Sequence, residues 1–264
     1  MKLATFNIRT DNNKDGNNNF CFRKPLILRT IAEKRPDIIA FQEVLPHVAE
    51  WLRENLNGFT TVGCGRSTTL EGEQLTVAFR ADKYNLMEMH TFWMSETPYV
   101  PGSRFEEQSI CPRVCTEVLL FEKETKQVVR VLNVHLDHIG AGARKLGLKQ
   151  ALEHLDNGKL FPQAATIITG DFNDKPDSII FDAFHEHPGY VDVTNGIGLT
   201  FHNYGKIRDD YQIDYIWVRG NLECCGVDKW TAEENGVYLS DHYPVCAELR
   251  WIKGKDALME RTAL

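Results

Sequence analysis

The stretch ITGDFND, residues 168–174, ends an apolar run that starts at residue 164. The run is rich in alanine and β-branched residues and predicts a buried strand, and the glycine with three polar groups after it predicts a turn. Asp171 and Asn173 are two positions apart, so an extended chain would direct both side chains to the same side. Asp174 fits an ordinary turn. The stretch therefore predicts a buried strand that delivers two polar side chains to one place.

The same arrangement recurs along the chain. The polar residues that end or follow apolar runs are Asn7 in LATFN, Glu43 in IIAFQE, His135 in VLNVH, Asp171 and Asn173 in ITGDFN, Asp214 in QIDYIWV, and Asp241 and His242 in YLSDHYPV. Any one of them could simply begin a turn, because Asp and Asn are common where strands meet water. If the strands lie in packed sheets, their ends share one rim, and four carboxylates, two amides and two imidazoles would meet there.

Four carboxylates at close range repel one another, so a cation is expected among them. The set is rich in oxygen and has no Cys/His cluster, which favours Mg²⁺ or Mn²⁺ over zinc. Glu43 is the first-choice ligand. A zinc hydrolase that uses His135 and His138 is disfavoured, because their spacing suits a helix whereas the sequence before them predicts a strand.

Short β-rich runs alternate with helical stretches, which is the pattern of an α/β protein whose sheets carry helices on their outer faces. Helices are predicted at residues 23–34, 47–55, 143–154 and 177–184. Strands are predicted at residues 2–8, 37–41, 75–80, 114–122, 128–134, 211–218 and 244–251. Residues 10–20 and 95–112 show no periodicity and are predicted to be loops, which are often functional when this long.

The bulk properties favour one soluble domain over residues 1–264, because no linker or repeat divides a chain of ordinary globular composition. The N-terminus MKLATFNIR lacks the apolar core of a signal peptide, and the chain has no apolar span of membrane length. We therefore expect a cytoplasmic protein without membrane insertion. The cysteine count is odd, with seven cysteines, and their spacing matches no zinc knuckle or disulfide framework, which predicts reduced and mostly buried thiols.

The net charge of −7 argues against an extended surface that binds nucleic acid nonspecifically. A local basic pocket is still compatible with this charge. Its candidate residues are Arg104, Arg113, Arg144 and Lys145, each of which could equally be a solvated or salt-bridged side chain.

In order along the chain, Asn7, Gln42-Glu43, NVH at 133–135, ITGDFND, QIDYIWV and YLSDHYPV resemble the endonuclease/exonuclease/phosphatase superfamily, the fold of deoxyribonuclease I. The resemblance runs from residue 3 to about residue 250. The pieces FWMSETP, CPRVCT, HLDHIGAGARK and TFHNYG are similar to a bacterial branch of small, uncharacterised hydrolases. The resemblance implies a four-layer α/β sandwich, with two mixed sheets face to face and helices outside, and Mg²⁺-dependent hydrolysis of a phosphomonoester or phosphodiester.

Carried over residue by residue, the resemblance implies that Glu43 holds the metal, with Asn7 and Asp241 near it, directly or through water. His242 would be the general base, or the imidazole that stabilises the transition state, and Asp214 would orient it. A physical argument supports this choice, because neighbours in an extended segment point to opposite sides and Asp241 cannot easily reach the ring of His242. A carboxylate partner would place the titration of His242 near the working pH.

The other implied roles concern water and phosphate. Asp171 and Asn173 would align the attacking water and a phosphate oxygen, and His135 would donate to the phosphate. Arg113 would bind substrate phosphate or form a structural ion pair. The remaining substrate-binding candidates are His138 and Arg144.

One departure from the family pattern bears on the substrate. In the abasic-site endonucleases of this superfamily, the asparagine of the first strand is followed two residues later by an aspartate near the metal, and here that position is Arg9. A cation there would weaken a second metal position and favour an anionic substrate. The sequence thus favours a Mg²⁺-dependent phosphoesterase acting on a small metabolite, lipid head group or short nucleotide.

Two alternatives stay open. One is a nuclease that acts on DNA or RNA, which should show steeply salt-dependent hydrolysis of oligonucleotides. The other is a binding protein that keeps the fold without the chemistry, against which the presence of every site residue counts.

Overall fold

Two six-stranded β-sheets pack face to face in the computed structural model, which describes residues 1–252. In chain order the strands are β1 Lys2–Asn7, β2 Ile38–Val44, β3 Phe59–Val62, β4 Gln74–Arg80, β5 Tyr84–Trp93, β6 Val114–Glu122, β7 Val128–His135, β8 Ala165–Asp171, β9 Val191–Asp192, β10 Asp214–Arg219, β11 Leu222–Lys229, β12 Glu233–Glu234, β13 Val237–Tyr238 and β14 Val245–Trp251. The first sheet has the order β11-β14-β1-β2-β4-β3 and the second β5-β6-β7-β8-β10-β9, while β12 and β13 form a separate pair.

Helices cover the outer face of each sheet. They are α1 Phe20–Lys34, α2 Pro46–Asn55, α3 Ala141–Asp156 and α4 Ala183–Glu186, with short 3₁₀ helices at Asn13–Asn18 and Ile179–Asp182. Residues of α1 and α2 pack on the first sheet, and residues of α3 and α4 pack on the second. A third cluster, which includes Leu3, Ile38, Val118 and Val131, fills the space between the sheets. The predicted four-layer α/β sandwich is therefore confirmed.

Within the two large sheets, the strands that the sequence did not predict are β3, β5, β9 and β11, which are the four edge strands. The short pair β12 and β13 was not predicted either. An edge strand is less buried, so its apolar alternation is weak, and bulges at Leu86/Glu88 in β5 and Cys224/Gly226 in β11 interrupt the period further. Helix α1 begins earlier than predicted, because the Asn19 side chain caps it by accepting from the Cys21 backbone N–H. The predicted helix at 177–184 is instead a 3₁₀ turn followed by the short α4.

The prediction of mostly buried thiols is wrong. Only Cys115 and Cys246 are buried, and Cys21, Cys224 and Cys225 are exposed. The two adjacent cysteines lie on the edge strand β11, which within residues 1–252 pairs with β14 alone. Within the described residues, no helix combines the length and apolar character needed to cross a membrane.

A fully buried arginine, Arg23 on α1, connects the loops at the rim of the sandwich. Its guanidinium donates to the backbone carbonyl oxygens of Ile8, Arg9, Asn18 and Leu239. The first two follow β1 and the last precedes the SDH segment of residues 240–242. The side chain thus fixes the chain after β1 against the chain before β14.

We expect Arg23→Lys to lower the free energy of unfolding by about 2–4 kcal/mol, because a lysine cannot reach all four carbonyls and buried acceptors would lose their donors. Urea denaturation followed by circular dichroism measures the change. Arg29→Lys is the matched control, since the Arg29 side chain on the same helix is about half exposed. Equal denaturation midpoints for the two variants would contradict this role for Arg23.

Candidate active site

The rim of the sandwich collects polar side chains from both sheets. Strands β1 and β2 run parallel in the first sheet, as do β7 and β8 in the second, so their carboxyl ends meet at one edge. Asn7 and Glu43 come from the first sheet, and His135 and Asp171 end strands of the second. Asn7 Nδ2 donates to Asp171 Oδ2 at 3.0 Å and so joins the two sheets directly.

His242 lies at the centre of this group and is buried. Its Nδ1 is 2.9 Å from Asp214 Oδ2, and its Nε2 is 3.8 Å from Asp171 Oδ2. Asp241 turns away from the ring, accepts a hydrogen bond from the Ser240 hydroxyl, and lies 3.5 Å from the Arg9 Nε. The ring of His242 is thus paired with a carboxylate of another strand, and its second nitrogen faces the rest of the site.

The carboxylates around His242 make its proton hard to remove. Burial opposes the charged imidazolium, but Asp214, Asp171 and Asp241 outweigh it and raise the pKa of His242 to about 10. Burial also raises the pKa of Asp171 to about 7, and the nearby charge of Asp214 adds to this while His242 opposes it. The expectation that His242 titrates near neutral pH is therefore wrong for the protein without a cation, because the sequence did not show how many carboxylates surround the ring.

We expect Asp214→Asn to lower the pKa of His242 by roughly 1–3 units, because it removes the nearest opposite charge and leaves burial unopposed at that side. Wild-type His242 keeps its proton on folding, so its contribution to stability is complete below its ordinary pKa of 6.5 and is lost as pH rises through about 10. In the variant the loss should still begin near pH 6.5 but should be complete at lower pH than in wild type. NMR titration of the His242 imidazole in metal-free protein measures its pKa in wild type and in the variant, with the exposed His185 as internal control. An unchanged pKa of His242 would contradict its pairing with Asp214.

Glu43 is ionised although it is half-buried. Burial alone would raise its pKa, but hydrogen bonds from the Thr10 backbone and the Asn7 side chain, with the charges of His242 and Arg9, outweigh burial and lower it. The Thr10 N–H donates to Oε2 at 2.6 Å and Asn7 Nδ2 to Oε1 at 3.0 Å. Asn7 thus presents its nitrogen, not its oxygen, to the carboxylates.

Carboxylates set the chemistry of this rim. Asp171, Asp214 and Asp241 are buried and Glu43 is half-buried beside them, and oxygen donors of this kind suit a hard divalent cation such as Mg²⁺ or Mn²⁺. Asp171, Asp214 and His242 each bring one possible ligand atom within 4.8 Å of the other two, so this group could hold a metal ion. In that group, however, His242 Nδ1 and Asp214 Oδ2 are already hydrogen-bonded to each other.

The ITGDFND stretch bends more sharply than an extended chain. Gly170 lies so close to β7 that a Cβ atom there would come within 1.9 Å of the Val134 carbonyl oxygen. Asn173 adopts φ 51°, its backbone N–H donates to Asp171 Oδ1, and its Nδ2 donates to the Leu136 carbonyl. The prediction of two parallel side chains is therefore wrong, because the left-handed Asn173 turns its amide towards the end of β7.

Of the remaining predicted residues, His135, Arg113 and His138 form one group and Arg144 stands apart from it. His135 Nε2 lies 3.5 Å from Asp171 Oδ2, and burial with the nearby charge of Arg113 holds the pKa of His135 well below its usual value. Arg113 Nη2 contacts His138 Nδ1 at 2.8 Å. Arg144 instead donates to Asp174 and to the Asp137 carbonyl, so this pair closes the turn after β8.

Three residues with charged side chains near the site were not predicted from the sequence. Arg66 and Glu73 line a pocket that Glu43 and Arg113 also line, and Asp137 accepts from Ser109 and from the backbone N–H groups of residues 139 and 140. Asp137 follows β7 directly after His135-Leu136, which is the same signal that identified the other strand-end residues. Arg66 and Glu73 lie in an irregular segment before β4 and carry no such signal.

Comparisons with known proteins agree with this architecture. The sequence model of the Endonuclease/Exonuclease/phosphatase family matches residues 4–242. An endonuclease/exonuclease/phosphatase structure from Bacteroides vulgatus is 29% identical, with a TM-score of 0.88, and the alignment covers 95% of this chain and 98% of the other. A functionally unknown conserved protein from Enterococcus faecalis V583 is 30% identical, with a TM-score of 0.86 and coverage of 95% and 100%. A mannosyl-6-phosphatase from Bacteroides thetaiotaomicron is 28% identical, with a TM-score of 0.84 and coverage of 95% and 100%.

Proposed function

The chain belongs to the endonuclease/exonuclease/phosphatase family, a family of phosphoesterases and nucleases, and we propose that it is a metal-dependent phosphoesterase that hydrolyses a phosphorylated small molecule or a short nucleotide. The observation that carries the proposal is the pairing of His242 with Asp214 beside the Glu43 and Asp171 carboxylates. A paired imidazole moves protons, and neighbouring oxygen donors attract a cation.

The net charge of the chain and its similarity to a sugar phosphatase both support a small substrate. The net charge of −7 disfavours long nucleic acid, whose binding depends on neutralising many phosphates. A relative that covers nearly the whole chain is described as a mannosyl-6-phosphatase, which makes a sugar phosphate one reasonable substrate class. The proposal includes a cytoplasmic location, because seven cysteines is an odd number and free thiols suit a reducing compartment.

The Glu43 carboxylate, with Asp241 and Asn7 beside it, would hold the cation. A divalent cation there supplies positive charge to a phosphate oxygen and lowers the pKa of groups nearby. For Asn7 to ligate through oxygen, its amide would have to turn, because its nitrogen now faces Glu43 and Asp171.

His242 has two proposed tasks, set by its two nitrogens. Nδ1 is held by Asp214, which fixes the orientation of the ring and its tautomer. Nε2 is directed to the side of Asp171, where the ring would exchange a proton with the attacking water or donate to a phosphate oxygen. Asp171 would accept from that water, and neutral His135 would donate to the phosphate.

A panel of esters tests the proposal. Purified protein is assayed in Mg²⁺, in Mn²⁺ and in EDTA against p-nitrophenyl phosphate, bis-p-nitrophenyl phosphate, sugar phosphates including mannose 6-phosphate, and oligonucleotides. We expect metal-dependent hydrolysis of a small ester. Preferred hydrolysis of oligonucleotides with a steep salt dependence would favour a nuclease, and no hydrolysis of any ester would favour a binding protein.

A further inference from the structure

A small pocket, open to solvent on one side, lies beside the candidate metal position. Its charged and titratable lining residues are Glu43, Arg66, Glu73, Arg113 and His135. His242 and Asp171 do not line it. Since Glu43 and His135 also belong to the proposed reacting centre, the pocket adjoins that centre on the His135 side, away from His242.

Arg113 is short of hydrogen-bond acceptors. Its side chain is buried, and within residues 1–252 its Nε and Nη1 have no hydrogen-bond partner. The nearest acid, Asp137, lies 3.7 Å from Nε and is already held by four donor groups, the Ser109 N–H and hydroxyl and the N–H groups of residues 139 and 140. Buried polar groups are rarely left unpaired, so these N–H groups are expected to meet a ligand.

A second guanidinium shares the pocket. Arg66 pairs with Glu73 at 2.9 Å, and its side chain stays partly accessible. Burial and the repulsion of Arg66 both lower the pKa of Arg113, which shows that the two cations oppose each other. Glu73 compensates only in part, because burial and the charge of Glu43 raise its own pKa. Arg66 is thus held by Glu73, whereas within the described residues Nε and Nη1 of Arg113 lack an acceptor.

We propose that the pocket between Arg66 and Arg113 binds a second anionic group of the substrate, a phosphate or a carboxylate, next to the phosphate ester that is hydrolysed. This inference rests on the proposed function and narrows its substrate class to small molecules with two anionic groups. Guanidinium groups suit such ligands, because their planar N–H pairs match the oxygens of carboxylates and phosphates. The unpaired Nε and Nη1 of Arg113 are the donors that the second anion would occupy.

Two unreactive ligands test the inference by calorimetry on Mg²⁺-loaded protein. Propane-1,3-diphosphonate carries two anionic groups, propylphosphonate carries one, and neither contains a hydrolysable ester. Wild type should bind the diphosphonate at least about tenfold more tightly, because charge-assisted hydrogen bonds to a guanidinium are stronger than those between neutral groups. Arg66→Gln and Arg113→Gln should each bring the ratio of the two dissociation constants close to one, and Arg29→Gln, on the exposed face of α1, should preserve it.

Each result is decisive. If Arg113→Gln does not fold by circular dichroism, the more accessible Arg66→Gln carries the test. A diphosphonate preference that survives the Arg66 substitution, or no preference in wild type, overturns the second-anion site. Equal weakening of both ligands also overturns it, because the arginines would then hold the single phosphate. Failure of the proposed function looks different, since no ester in the panel would be hydrolysed while the arginine-dependent preference remained.

Discussion

His242→Asn should lower kcat for the best substrate of the panel by roughly 10²–10⁴-fold, which is the usual contribution of a positioned proton-transfer group. The substitution removes Nε2, which faces Asp171 and the proposed water, and asparagine cannot exchange a proton at neutral pH. The KM and the metal affinity should change much less, because Glu43 and the pocket arginines remain. Steady-state kinetics at saturating Mg²⁺ measures the effect.

A matched histidine elsewhere separates this role from a general loss of histidine. His185 on α4 is almost fully exposed and lies near Asp182, so His185→Asn is expected to keep wild-type kinetics. A kcat within about threefold of wild type in the His242 variant would remove His242 from the chemistry, because that is far below the contribution of a proton-transfer residue.

Glu43→Gln should weaken Mn²⁺ binding by roughly 10²-fold or more and lower turnover at a fixed low metal concentration by a similar factor, since a metal ion contributes several kcal/mol to phosphate chemistry. Glutamine keeps the shape and one acceptor oxygen of Glu43, but it removes the charge and replaces the second acceptor with a donor, so it can accept from only one of Thr10 and Asn7. Raising the metal concentration should restore part of the activity. Titration of free Mn²⁺ by electron paramagnetic resonance measures affinity and stoichiometry without substrate.

Two further variants locate the cation. Glu33→Gln, on an exposed position of α1, is the control for loss of one carboxylate and should bind Mn²⁺ normally. Asp214→Asn distinguishes the two candidate positions, because Asp214 belongs to the Asp171, Asp214 and His242 group but not to the Glu43 side. Loss of Mn²⁺ binding in Asp214→Asn with normal binding in Glu43→Gln would place the ion in that group and contradict our assignment.

The sequence predicts the interior of this fold better than its edges. Buried strands such as β7 and β8 show continuous apolar runs that end on His135 and Asp171, so a polar group after such a run is visible without a structure. The edge strand β5 is half exposed and bulged, so its sequence resembles a loop. Strand-end position therefore identified the residues of the rim, whereas Arg66 and Glu73, which an irregular segment brings to the pocket, were not predictable from local pattern.

The backbone conformation at the site could not be predicted from the sequence either. Glu43 has φ 62° and Asn173 has φ 51°, values that side-chain-bearing residues adopt infrequently. Alternation of side chains assumes an extended chain, so it predicted the wrong direction for the Asn173 amide. It gave the right direction for Asp241 relative to His242, because the two side chains do lie on different sides.

The hydrogen bond from Asn7 to Asp171 crosses from one sheet to the other, and so do the buried hydrogen bonds that join Asn133 on β7 to Gln42 and to the Phe41 carbonyl on β2. Apolar side chains fill the rest of the space between the sheets. Sliding of one sheet over the other by ~1 Å would move Asn7 and Glu43 relative to Asp171 and Asp214, and misplacement on this scale can cost about 10²-fold in rate. Volume changes at Ile38 or Val131 should therefore alter turnover while the protein stays folded. Adaptation to a new substrate could then proceed by substitutions deep between the sheets, far from any group that touches the ligand.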